Sequence, residues 1–412
     1  MENKSTQKNG FIEAVLALFK NRNFILMMLI STFNTAGQVF VKTPTSLFGK
    51  EILGMNGMQL GMITGTYYLI CTIFRPITGP LIDKFNKKVV LSICLLIRAV
   101  SYVMFAMCQD TNFFTLARYV DAVSFCLCTT CFLAVTTSLV DRKAMGTGIA
   151  IYSAFPSIVN IFMPSLAMAV YNGISPRAVF IGGAGTIVLG IVMVQFLDFT
   201  KTVKSNRPQG SKKFSLEDVF YLPVVPACSL TFFLSLLLTV NDTYLLMMAT
   251  ERGIVGAEIF FSIQSAIKVI ASFIGGVGGD TAGVKKILVL SCLATALASL
   301  CIGFTSGLPL IIVAGVLYCL GSKGSAPVIT KACATMAPPE KRGAAISTNY
   351  FIMDLAGVLA GYISSFLYNS FGYTGMYVAM TVFPIVGLAV LLATWKNTFG
   401  AMEEKEKAKQ AN

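Results

Sequence analysis

The feature that most restricts this chain is a succession of about twelve apolar runs, each about 20 residues long, separated by short polar stretches. Coiled as a helix, a run of that length matches the hydrocarbon thickness of a bilayer. Inside lipid every backbone N–H and C=O must be bonded within the protein, which leaves helices and closed barrels as spanning structures. Barrel strands need only about 10 residues of alternating polarity, so these continuous runs predict helices. Composition agrees: 12% of residues are charged, against about 25% in ordinary soluble domains. The expected fold class is an all-α membrane protein with about twelve transmembrane helices.

A net charge of +13 would suit nucleic acid if the bases were clustered on a soluble face. When the loops are assigned alternately to the two sides, about 22 of the 32 Lys and Arg fall on one side, about 4 on the other and about 6 in or near the spans. The positive-inside rule then puts both termini in the cytoplasm of a multi-pass cell-membrane protein, with the bilayer and not nucleic acid as the partner of its surface. A monomer is expected. The absence of His excludes a Ser-His-Asp triad and imidazole metal ligands, so any proton relay must use carboxylates. The 11 Cys lie mostly in apolar runs, and Cys126, Cys128 and Cys131 lack the two paired Cys-x-x-Cys units of a structural zinc site. They read as reduced packing residues, and no metal or cofactor is expected.

Polarity divides the chain into five parts: residues 1–23, a cytoplasmic N-terminus with an interfacial helix over Phe11–Phe19; 24–197, a first six-helix bundle; 198–220, a cytoplasmic linker; 221–395, a second six-helix bundle; and 396–412, a charged tail. The linker carries Lys201, Lys204, Arg207, Lys212 and Lys213 with Pro208 and Gly210. Because the first long apolar run is followed by more of its kind, no cleaved signal peptide is expected. An internal repeat supports two related halves. Gly79 to Lys88 places Asp83 and the bases Lys84, Lys87 and Lys88 in a short charged turn between two apolar runs. About 197 residues later, Gly276 and Asp280 repeat the Gly-x-x-x-Asp spacing ahead of Lys285 and Lys286. Arg142 and Arg342, 200 residues apart, each open a span.

The Gly79–Lys88 stretch resembles the loop between helices 2 and 3 that marks the major facilitator superfamily of secondary transporters. Leu116 to Ala122 is similar to that family's fourth-helix motif, with Ala122 where the motif has Gly. Span 5 has Pro156 and Pro164 but lacks the Gly-Pro-rich motif of drug:proton antiporters. The resemblance implies two pseudo-symmetric halves around a central path lined by helices 1, 4, 7 and 10, with helices 2, 5, 8 and 11 beside it. It also implies gating by Asp83, which in the family caps helix 11, together with Arg142 and Asp280.

Charge inside a bilayer is costly, so intramembrane ionisable groups are site candidates. They are Arg98 on span 3, Arg118 and Asp121 on span 4, Lys268 on span 8, Lys323 on span 10 and Asp354 on span 11. Asn34 and Gln38 share one face of span 1. The family's helix order favours Arg118, Lys268 and Lys323, with Asn34 and Gln38, for substrate binding and Asp121 and Asp354 for proton coupling or charge pairing; Arg98 becomes structural. The alternative is fixed staples, Arg98 or Arg118 with Asp121 and Lys268 or Lys323 with Asp354. Three bases against two acids favour an anion, and Lys268 is placed as in oxalate:formate-type antiporters, where Asp354 would be a further base. The expected function is secondary active transport of a small organic anion, a carboxylate, by proton symport or anion exchange. The alternatives are proton-driven efflux of drug-like amphiphiles or sugars, and a membrane receptor or scaffold. An enzyme is not expected, since no set of nucleophile and acid/base residues gathers at one interface.

Overall fold

The computed structural model describes residues 19–140, 145–198, 220–278, 283–338 and 341–400. Among them there is no strand. The helices of the first half are α1 (Arg22–Glu51), α2 (Gly57–Lys84), α3 (Lys87–Met107), α4 (Thr111–Leu139), α5 (Met145–Gly173) and α6 (Pro176–Gln195). Those of the second are α7 (Val225–Glu251), α8 (Ile259–Gly278), α9 (Val284–Gly303), α10 (Leu308–Tyr318), α11 (Gly324–Met336), α12 (Arg342–Met380) and α13 (Val382–Thr394). A π-helical segment, Cys319–Lys323, joins α10 to α11 into one span. Nine helical stretches among the described residues are long and apolar enough to cross a membrane. The last of these, Arg342–Asn397, has 56 residues, about 84 Å of helix, or two crossings. It breaks at Gly372, whose φ of 64° suits glycine and hardly any other residue. With α2 and α8, of 28 and 20 residues, the expected twelve crossings are accounted for.

Local signals start the helices where the sequence offers caps. Asn86 accepts from the Lys88 amide at 2.9 Å, Asp110 from Asn112 and Phe113 at 2.9 Å, and Ser175 from Ala178 at 3.1 Å ahead of Pro176. Two boundaries differ from the sequence reading. Span 1, expected to stop near Val41, continues as helix to Glu51 through Pro44, because Thr43 to Gly49 are buried and packing outweighs the lost Pro44 donor. The turn expected over Gly79–Lys88 shrinks to Phe85 and Asn86, since α2 runs on to Lys84.

The chain divides into two compact units, Met1–Lys42 with Ile73–Gly210, and Thr43–Thr72 with Ser211–Asn412. In unit 1, α3 and α6 are pinned at both ends, Lys88 Nζ to the Gln195 carbonyl at 2.6 Å and Arg177 Nη2 to the Cys108 carbonyl at 3.4 Å. Between the pins Phe105 stacks on Phe180 at 5.3 Å. In unit 2 the core is built from α7, α9, α11 and α12, with Leu230, Leu234, Leu288, Cys292, Ile329 and Ile352 among its members.

Candidate functional site

Each unit carries its own cluster of intramembrane charge. In unit 1 the centre is Arg98 of α3, 0% exposed. Its Nη1 donates to Asn34 Oδ1 of α1 at 2.7 Å and its Nε to Ser124 Oγ of α4 at 3.4 Å, while the guanidinium lies 5.9 Å over the Phe125 ring. Ser124 Oγ also donates to the Asp121 carbonyl at 2.8 Å and lies 3.5 Å from its carboxylate. Asp121 and Arg118 are both buried, one turn apart on α4. The Asp121 carboxylate sits within electrostatic reach of Arg98, Arg118 and Lys42, so one acid stands among three bases. Asn34 commits its carbonyl to Arg98, and Gln38 lies half-buried one turn further along α1.

In unit 2 the bases are less enclosed than Arg98. Lys268 of α8 is exposed and Lys323, at the end of the π segment, is half-buried. Both lie within electrostatic reach of Cys319, whose thiol donates to the Gln264 carbonyl, one turn before Lys268, at 3.4 Å. The π geometry frees backbone from regular pairing, and such segments recur at functional sites. Gly321 within it leaves no room for a Cβ: one would collide with the Thr295 side chain and meet the Ser291 carbonyl at 2.7 Å. Tyr318, fully buried, stacks on Phe260 at 6.0 Å and is within reach of Asp242. Beside Asp242, the Asn241 side chain is 1% exposed, and neither of its amide atoms finds a hydrogen-bond partner among the described residues; the same holds for Gln264 Nε2. Asp354 of α12 is likewise 1% exposed.

Two features escaped the sequence reading. Asp242 is not among the sequence candidates, yet α7 continues nine residues beyond it to Glu251, about 14 Å, which puts the carboxylate well inside the helix. Cys128 and Cys131, three apart on α4, turn toward Cys94 of α3, and that Cys-Thr-Thr-Cys spacing was the available signal. Among the described residues no three His, Cys, Asp or Glu are arranged to hold a metal ion. Of the gating candidates, Asp83 falls in the last turn of α2 with its side chain outside the described set, and Arg142 and Asp280 lie outside the described residues altogether.

The family model of the Major Facilitator Superfamily matches twice, over residues 23–253 and 227–411. The staphylopine export protein of Staphylococcus aureus is 24% identical over 268 residues, 61% of this chain and 64% of that protein. The quinolone resistance protein NorA of the same organism is 33% identical over 72 residues, 18% of this chain and 19% of its own length. The chain thus matches less than two thirds of the length of either relative. Among solved structures, a mutant of the nucleoside transporter NupG superposes with a TM-score of 0.78 at 13% identity, covering 90% of this chain and 99% of its own, which bears on the fold alone. The two-fold match across nearly the whole sequence, the helical architecture and the intramembrane charge clusters agree, and the chain is an integral multi-pass membrane protein that belongs to the Major Facilitator Superfamily.

Proposed function

We propose that this protein is a secondary active transporter of a small organic anion, a carboxylate, working by alternating access as a proton symporter or an anion exchanger. The observation that carries the reading is the excess of base over acid in unit 1, where one acid stands among three bases. There Asp121 stands within reach of Arg98, Arg118 and Lys42; in unit 2 Lys268 and Lys323 both lie within electrostatic reach of Cys319, and Asp242 and Asp354 balance their charge. At low effective dielectric such an excess attracts an anion and repels a cation. Arg118, Lys268 and Lys323 are the residues assigned to the anion, with Asn34 and Gln38 lining the first helix. Asp121 and Asp354 are the carboxylates available to carry a proton, and Asp83, Arg142 and Asp280 are assigned to gating through the family loop. The protein acts as a monomer with both termini in the cytoplasm.

The test is an unbiased metabolite screen on purified protein in proteoliposomes. Anions should dominate the hits and compete with one another. Preference for cations, or transport of neutral amphiphiles that no anion inhibits, overturns the reading. Asp354→Asn then separates the two modes, since anion exchange between loaded vesicles survives in an exchanger and proton-driven accumulation disappears in a symporter.

A second reading is efflux of a drug-like amphiphile. It is favoured by the names of the matched relatives, one an export protein and the other a quinolone resistance protein. Outward transport of an anion would satisfy both readings, and only the screen distinguishes the cargo.

A further inference from the structure

The polar groups beside the π segment of unit 2 sort by hydrogen-bond polarity. One set consists of donors: the ammonium groups of Lys268 and Lys323, both within electrostatic reach of Cys319, and Gln264 Nε2, a buried atom with no hydrogen-bond partner among the described residues. The other set supplies acceptors: the Asp242 carboxylate, within reach of the Tyr318 hydroxyl, and Asn241 Oδ1 on the preceding residue. Tyr318 and Cys319 are consecutive, so one short stretch of chain borders both sets.

The acceptor set is poorly served by the protein itself. Asn241 is 1% exposed, and both of its amide atoms are unbonded among the described residues. The Tyr318 hydroxyl, 0% exposed, makes no hydrogen bond of regular geometry there, although Ser322 lies beside it. Native proteins leave few buried polar atoms without partners, and several together point to water or a ligand that completes them. Lys268 is exposed and Asp242, Gln264 and Lys323 are half-buried, so polar surface remains for an incoming molecule. Asp242 and Lys323 are also engaged within the protein, and a ligand would share or replace those contacts.

A simple anion satisfies the donors but is repelled by Asp242, and a simple cation meets the opposite conflict at the two lysines. A molecule carrying both signs answers both sets. A carboxylate has acceptor oxygens for the donors, whereas a protonated amine has three N–H donors and no acceptor, the complement of a carboxylate, an amide oxygen and a phenol oxygen. We propose that the cargo is a carboxylate that also bears a protonated amine, with Lys268, Lys323 and Gln264 taking the carboxylate and Asp242, Asn241 and Tyr318 taking the amine. This deepens the anion reading and rests on it: the base excess around Asp121 in unit 1 sets the net sign, and unit 2 selects the amine.

Calorimetric titration of the full-length protein in lipid nanodiscs at neutral pH tests this with succinate and aspartate as one pair, glutarate and glutamate as a second, and propylamine as the amine alone. Within each pair the molecules differ by one ammonium group. Succinate and glutarate carry one more net negative charge than their amino partners, so attraction to a merely basic cavity would favour them. Aspartate or glutamate should nevertheless bind about tenfold more tightly than its amine-free partner, the factor expected of one charge-assisted hydrogen bond. Asp242→Asn should abolish that preference by weakening the amino member and not the amine-free one, whereas Lys268→Met should weaken both alike. If Asp242→Asn does not purify as a monodisperse species, Tyr318→Phe, which removes only the hydroxyl, should reduce the preference, and the wild-type ratio needs no variant. Amine-free members that bind as tightly as their partners, or a preference untouched in whichever of the two variants purifies, overturn the inference and leave the anion reading standing. Propylamine binding that no carboxylate competes with overturns both. Binding by none of the five overturns the inference and leaves the anion reading to the metabolite screen.

Discussion

Arg98 in unit 1 and Lys268 in unit 2 are both single bases on membrane helices, and the protein treats them in opposite ways. Arg98 is fully enclosed and spends donors on Asn34 and Ser124 from two other helices. Lys268 keeps accessible surface although protein crowds its ammonium, and with Lys323 it lies within electrostatic reach of the Cys319 thiol, which bonds the Gln264 carbonyl one turn before it. A buried charge stripped of partners costs several kcal/mol, whereas a charge in a wet cavity retains its hydration until a ligand displaces it. The difference teaches that intramembrane charge alone does not mark a site; enclosure by fixed partners marks a staple, and access marks a ligand group.

The largest expected effect comes from removing the staple. Arg98→Met should destabilise the protein by about 3 kcal/mol, because Asn34 Oδ1 loses its donor and Asp121 loses a neighbouring positive charge in a low-dielectric interior. Unfolding of the purified protein by titration with an anionic detergent measures it. A loss below about 1 kcal/mol would show that Arg98 is no staple and would erase the contrast with Lys268. Next comes Asn34→Ala, which removes a 2.7 Å hydrogen bond to a charged group and should cost about 2 kcal/mol. If Asn34→Ala abolishes transport without that cost, Asn34 belongs to the substrate and not to Arg98.

How much of this was legible beforehand can be read from particular residues. The helical class followed from run length because lipid leaves the backbone no other economy, and the repeat followed from Asp83 and Asp280 with their trailing bases. The end of α1 was misread because Lys42 and Pro44 are stop signals locally, while burial of Thr43 to Gly49 is a tertiary fact that local pattern does not carry. Asp242 carries no local mark of its depth either, because the length of helix beyond it, to Glu251, is what places it inside the span. The π segment left no mark beyond Gly321 and Gly324, since a π turn is defined by which carbonyl each amide selects. The close backbone approach of α2 and α12 at Gly61, Gly65 and Gly361 was present as glycine spacing, but the two helices are about 300 residues apart in the chain, and pairing over such a distance has no local signature.

A smaller effect of opposite sign is expected at Asn241. Its amide is buried with neither atom bonded among the described residues, so replacing it with Leu removes an unmet desolvation cost at similar volume. Asn241→Leu should raise stability by about 1 kcal/mol. If the amide serves the substrate or the alternate state, the same variant transports poorly, a trade of stability for function that would place Asn241 on the ligand side of the comparison.

The smallest stability effect, and the one that sharpens the comparison most, is expected at Lys268. Among the described residues the Lys268 ammonium makes no hydrogen bond or ion pair that its removal would strand, so Lys268→Met should shift unfolding by less than about 0.5 kcal/mol. Its consequence should fall on binding: removing one of two bases around Cys319 lowers the attraction for an anion and should raise the half-saturation concentration of whichever carboxylate the screen finds, by roughly tenfold if the interaction contributes the 1.4 kcal/mol common for a charge-assisted hydrogen bond. Lys268→Arg keeps the charge and should recover most of that loss. Equal damage from Met and Arg would mean that shape and not charge matters at this position, and a destabilisation matching that of Arg98→Met would mean that Lys268, too, is a staple.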